Sequence, residues 1–191
     1  DIEHGPIECV FTRDEETGLT GAFEMKPGFM TGDYLINLDS EDEGQLFVSC
    51  AGGVRTEATY TVDEEKLPEG FSTFNLVVKG LTGGHSGDDI NKKRANANKL
   101  LVRFLWEQSE KTDLRLCDIQ AGGLHNAIPR EAHATVAVPT AYVATFGEEL
   151  QAFVEKVRDE FSATEPDLTA VIEPVAAAPT CICKEQAERL L

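Results

Sequence analysis

The order of apolar patterns along this chain predicts a mixed α/β and α+β architecture in two parts. A partial βαβ-type segment occupies 1–70, and a ferredoxin-like β-α-β-β-α-β unit follows over 71–178. Three observations carry this. Short apolar runs alternate with charged turns through the first part. Two long stretches of the second have a 3.6-residue apolar period. Four strand-like runs flank those two stretches in the required order. With 191 residues, 41% hydrophobic and 27% charged, the chain is long enough for one large core or two small ones.

In the first part, 7–12 reads as a strand that ends in Arg13-Asp14-Glu15-Glu16-Thr17-Gly18. A short helix is expected over 19–25, stopped by Lys26-Pro27-Gly28. The runs 34–38, 46–50 and 56–62 read as further strands. The second of these runs is separated from the third by Gly52-Gly53. Four short strands and one helix cannot cover both faces of a sheet, so the rest of this domain is expected to lie outside the chain. Asp1 at the start and a helical pattern still running at Arg189-Leu190-Leu191 give the same expectation of an internal piece of a longer protein.

Leu67-Pro68-Glu69-Gly70 is rich in turn formers and suits a linker. The strand expected over 74–79 runs into Gly80-Leu81-Thr82-Gly83-Gly84-His85-Ser86-Gly87. A helix follows, because Ala97, Leu100, Leu101, Phe104 and Leu105 recur at i, i+3, i+4, i+7 and i+8. The run 114–119 is a strand broken by Gly122-Gly123. The run 131–138 is another, with Ala134, Val136 and Val138 on one side and His133 and Thr135 on the other. Val143, Phe146, Leu150, Phe153, Val154, Val157 and Phe161 mark the second helix, and 168–172 the last strand. From Pro179 a further segment, 179–191, begins.

Charge limits the partners. Seventeen basic against 34 acidic residues leave a net charge of −17. Such a chain repels phosphate backbones and anionic lipid, so neither nucleic acid nor membrane is an expected partner. No apolar run reaches the roughly 18–20 residues of a membrane span. The five cysteines are odd in number and scattered, which fits reduced thiols and a cytoplasmic location.

Several residues carry possible chemistry. Glu15 and Glu16 follow the first expected strand and Asp39 the second, where ligands bind in α/β sheets. In an extended chain Glu15 and Glu16 point to opposite sides. One carboxylate is then free to hold a metal while the other takes a proton from water. The same acids also fit a solvated loop. His85 lies among four glycines, where a backbone turns sharply and a ligand comes close. An imidazole there can donate to a carboxylate or a developing oxyanion; an exposed His on a flexible turn is the alternative. Asn126 offers an amide beside the break at Gly122-Gly123, or simply forms a turn.

Four ordered motifs together resemble metallopeptidase family M20. They are Asp14-Glu15-Glu16-Thr17-Gly18, Asn37-Leu38-Asp39-Ser40-Glu41, Lys79 through Gly87, and Asn126-Ala127-Ile128-Pro129-Arg130-Glu131. Asn96 through Leu105 is similar to the branch that cleaves Xaa-His and other dipeptides. The resemblance implies a di-zinc catalytic domain, partly present over 1–70, and an inserted lid or dimerisation domain over 71–178, with 179–191 opening a further lid segment. It implies that Glu15 is the general base, that Glu16 and Asp39 are metal ligands, and that His85 and Asn126 contact substrate or transition state. It implies two zinc ions, with Co or Mn as substitutes, not tightly held by this piece alone. A dipeptide substrate and a homodimer formed through the lid follow from it too. Other M20 amidohydrolases, such as an aminoacylase, deacetylase or tripeptidase, stay open, as does a non-catalytic dimerisation module. The family's His-x-Asp motif, its bridging Asp and its C-terminal ligand His have no counterpart here. Thr17 stands where relatives often carry Ala.

Overall fold

A computed structural model describes residues 2–39, 43–50, 52, 54 and 56–191. The chain divides into two compact units, Asp1–Thr56 and Glu57–Leu191. In the first, two single-turn helices, α1 (Glu15–Gly18) and α2 (Thr20–Phe23), stand within irregular chain. The strands expected over 7–12, 34–38, 46–50 and 56–62 are not formed among the described residues. The helix expected over 19–25 is reduced to α2. Ser40, Glu41 and Asp42 of the acidic run, and Gly53 of the Gly52-Gly53 break, lie outside the described residues. The physical reason for the missing strands is that a strand satisfies its N–H and C=O groups only through neighbours, and these segments do not pair with one another. Their side chains remain open to solvent: Phe11 is 92% exposed, Tyr34 92% and Val48 97%.

The second unit begins with β1 (Glu64–Lys66) and β2 (Phe71–Lys79). The two-residue strand β3 (Gly84–His85) leads to a 3-10 turn and to α3 (Ala97–Ser109). Next come β4 (Arg115–Ala121), the short β5 (Ala127–Ile128) and β6 (Ala132–Pro139). A second 3-10 turn opens α4 (Val143–Glu160). The chain finishes with β7 (Thr169–Pro174), β8 (Thr180–Ile182) and α5 (Lys184–Leu190). The main sheet has the order β4-β6-β2-β7, antiparallel throughout. This is the ferredoxin-like arrangement of β2-α3-β4-β6-α4-β7.

Register fixes which face each side chain takes. Phe74 sits opposite Val136, and Leu76 opposite both Ala134 and Ile172. With Val78, Ala132, Leu116 and Val138 they form the face on which both helices pack. Helix α3 starts where the Asn96 side chain accepts the Lys99 N–H at 3.2 Å, capping one orphan donor. It buries Ala97, Leu100, Leu101, Phe104, Leu105 and Gln108. Helix α4 buries Phe146, Leu150, Phe153, Val154 and Val157. Phe104 stacks at a tilt between Phe146 and Phe153, with ring centroids 5.4 and 5.2 Å away.

A smaller apolar cluster of Leu67, Ala137 and Cys181, with Phe71, Cys117 and Ala178 packed against it, lies apart from that core. Here β1 pairs antiparallel with β8, and Leu67 donates its N–H to the Pro179 carbonyl. Arg115 ties the edge together through Glu65 at 2.5 Å and Asp113 at 3.0 Å. All five cysteines are free thiols. Burial pushes the Cys117 thiol up to about 11, with Cys181 and Asp118 adding to the shift, so it stays protonated at neutral pH.

Candidate active site

The loop after β2 and the loop after β4 meet in one ribbon. Gly84 pairs with Ile128 and His85 with Ala127 across β3 and β5. The Ser86 N–H then donates to the Asn126 carbonyl at 2.9 Å. His85 and Asn126, far apart in sequence, therefore share one end of a two-stranded ribbon. Gly84 allows the close passage: its φ is +143°, and a Cβ there would collide with the Arg94 guanidinium and the Asp89 carboxylate. That is a backbone position only glycine fills without strain.

His85 is held from both sides. Its N–H donates to the Asp89 carboxylate at 2.8 Å. Its ring Nδ1 accepts the N–H of Gly87 at 3.0 Å and of Asp88 at 3.3 Å. With Nδ1 used as an acceptor, the proton of the neutral ring is on Nε2. The side chain is 54% exposed, so that donor is open to a ligand. Asp89 is held down at about 2, first by the Lys92 hydrogen bond and then by the His85 N–H, with the Arg94 and Lys92 charges adding. Arg94 donates to the Gly83 carbonyl at 2.6 Å, and Arg130 to that of Leu81 at 3.1 Å. Both carbonyls precede His85, so the two arginines pin the stretch of chain that leads into it. An imidazole N–H and an amide on one ribbon suit a developing oxyanion or a peptide terminus.

Asp89 was not among the residues singled out from sequence. Its spacing of four from His85, within the doublet Asp88-Asp89, is the signal that marks it.

Glu15 and Glu16 occupy the first turn of α1, both exposed. The chain is helical there, not extended, which sets the two side chains about 100° apart around the axis. Asp14 and Leu19 bracket that turn with left-handed φ of 58° and 59°. Asp14 tolerates this conformation; a Leu rarely adopts it. The Asp14 carbonyl accepts the Leu19 N–H at 2.7 Å, and its carboxylate accepts the Thr20 hydroxyl at 2.5 Å. Asp39 is exposed, and its N–H donates to the Asn37 side chain at 2.9 Å. Among the described residues no three His, Cys, Asp or Glu side chains gather as metal ligands. Glu16 and Asp39 therefore do not by themselves make the three- or four-ligand set that zinc takes.

Comparison with known proteins gives the family. The peptidase dimerisation domain of the M20 group matches residues 69–167. The chain is 44% identical over 175 residues to the cytosol non-specific dipeptidase of Escherichia coli strain K12, a match covering 92% of this chain and 36% of that protein. The crystal structure of aminoacylhistidine dipeptidase from Vibrio alginolyticus superposes with a TM-score of 0.78 at 37% identity. That match covers 94% of this chain and 36% of the other. The chain thus spans about a third of the length of either relative. M20 dipeptidases are generally metal-dependent. The motifs read from sequence, the ferredoxin-like sheet and the match over 69–167 agree: the chain belongs to the M20 peptidase family.

Proposed function

We propose that this chain is part of a cytoplasmic dipeptidase that hydrolyses Xaa-His and other dipeptides. In this reading residues 1–70 contribute to the catalytic domain, 71–178 form the lid, and 179–191 begin a further lid segment. Glu15 takes the proton from the attacking water and returns it to the leaving amine. Glu16 and Asp39 supply two carboxylates to a di-zinc site, or one holding Co or Mn, whose other ligands come from residues outside this chain. This chain alone then binds zinc weakly. His85 donates through Nε2 to the oxyanion, and Asn126 holds the substrate beside it. The parent protein works as a homodimer paired through the lid.

The observation that carries this reading is the pairing of β3 with β5, which brings His85 beside Asn126. The two dipeptidase relatives support the choice of substrate class. The test is Glu15→Gln in the full-length enzyme. Turnover of a dipeptide is expected to fall at least about 10³-fold, while metal content by elemental analysis stays at the wild-type level. Loss of metal instead would exchange the roles of Glu15 and Glu16, and unchanged turnover would remove Glu15 from the chemistry.

A further inference from the structure

Glu165 is the one buried acid among the described residues, 2% exposed. It lies in the turn between α4 and β7. Both its oxygens are taken by main-chain N–H groups rather than by a cation: Thr82 donates to one at 2.6 Å and Ala95 to the other at 2.8 Å. Those two residues bracket the loop that carries His85. Thr164 repeats the pattern. Its carbonyl accepts the Thr82 hydroxyl at 2.8 Å, and its own hydroxyl donates to the Lys93 carbonyl at 3.3 Å. The loop also starts against the same turn, since a Cβ on Gly80 (φ +79°) would collide with the Asp167 carbonyl.

A buried carboxylate without a cationic partner is costly to keep. A carboxylate can accept two N–H groups through two oxygens. An amide offers one acceptor and turns an NH₂ group toward the other donor. The arrangement therefore requires the acid itself.

We infer that Glu165 is a positioning residue for His85: its carboxylate closes both ends of the 82–95 loop and so fixes where the imidazole is presented to substrate. The inference rests on the proposed role of His85 as an oxyanion donor. Glu165 touches neither substrate nor reacting atoms in this scheme; it acts through the loop.

The test is a double-mutant cycle in the full-length enzyme with a dipeptide substrate. His85→Ala is expected to lower kcat about 10²–10³-fold. Glu165→Gln is expected to lower kcat about tenfold, with KM and metal content unchanged and with faster hydrogen exchange at the Thr82 and Ala95 amides. In the His85→Ala background the same change should cost nothing further in kcat. If Glu165→Gln leaves kcat intact, or costs the same factor in both backgrounds, the inference is overturned while His85 keeps its role. If His85→Ala itself leaves kcat unchanged, the reading of His85 falls and this inference with it. Should Glu165→Gln fail to fold, Glu165→Asp, which keeps both oxygens one methylene shorter, is expected to show a smaller kcat loss that again disappears without His85.

Discussion

Asp89 receives Lys92 and the His85 N–H together, and its carboxyl is held from an ordinary 3.8 down to about 2. A depressed carboxyl stabilises the folded loop above the unfolded value and loses that contribution as pH falls through the folded one. The window is therefore about pH 4 to 2. The His85 amide is expected to keep constant protection from pH 8 down to about 4, measured by NMR hydrogen exchange with intrinsic rates corrected for pH. Asp89→Asn should lower that protection at every pH above 4. Protection that changes between pH 8 and 4 instead would point to a group other than Asp89 as the controlling one. The sequence singles out His85 and Asn126 because glycines near each interrupt an apolar pattern, and the structure joins the two loops that hold them. Asp89 was within reach of a local reading, at i+4. Glu165 was not: it looks like any acid after a helix, and its meaning comes from Thr82 and Ala95 on distant elements.

Helices α3 and α4 were legible from their apolar faces, although α3 runs four residues past the last residue of that face, whereas the first unit's expected strands did not form. A helix closes its backbone hydrogen bonds within itself, so its apolar stripe is enough to reveal it. A strand borrows its partners. Runs such as 34–38 and 46–50 have the right composition but no neighbour to pair with among the described residues. The four strands of the main sheet were legible, and their partners are in the same chain: β6 lies between β4 and β2. The short strands β1, β3, β5 and β8 were not expected. The helix layer depends on Phe104, 1% exposed and in contact distance of two other rings. Phe104→Ala is expected to destabilise the second unit by about 3–5 kcal/mol, read as a lower urea midpoint. A shift below about 1 kcal/mol would mean that Phe146 and Phe153 collapse into the space.

At the scale of the whole molecule, the 20.8 kDa chain carries a net charge of −17, so any self-association works against repulsion that salt screens. The match to a peptidase dimerisation domain over 69–167 sets the expectation for the full-length protein. Light scattering at 0.15 M salt should give twice the subunit mass, and a single-subunit mass would detach the homodimer from this reading. One feature of the second unit reaches further. Glu64 and Thr180 lie 116 residues apart yet are joined by a hydrogen bond of 2.8 Å, on strands that pair side by side. In polymer terms, closing a flexible loop of that size costs about 4 kcal/mol of chain entropy. Once β1 and β8 zip together, that cost has been met inside the unit. To the chain on either side, everything between them then counts as a crossing of about 5 Å. A stretch whose two ends are already held side by side can be lengthened between them with little further entropic penalty to the pairing that closes it.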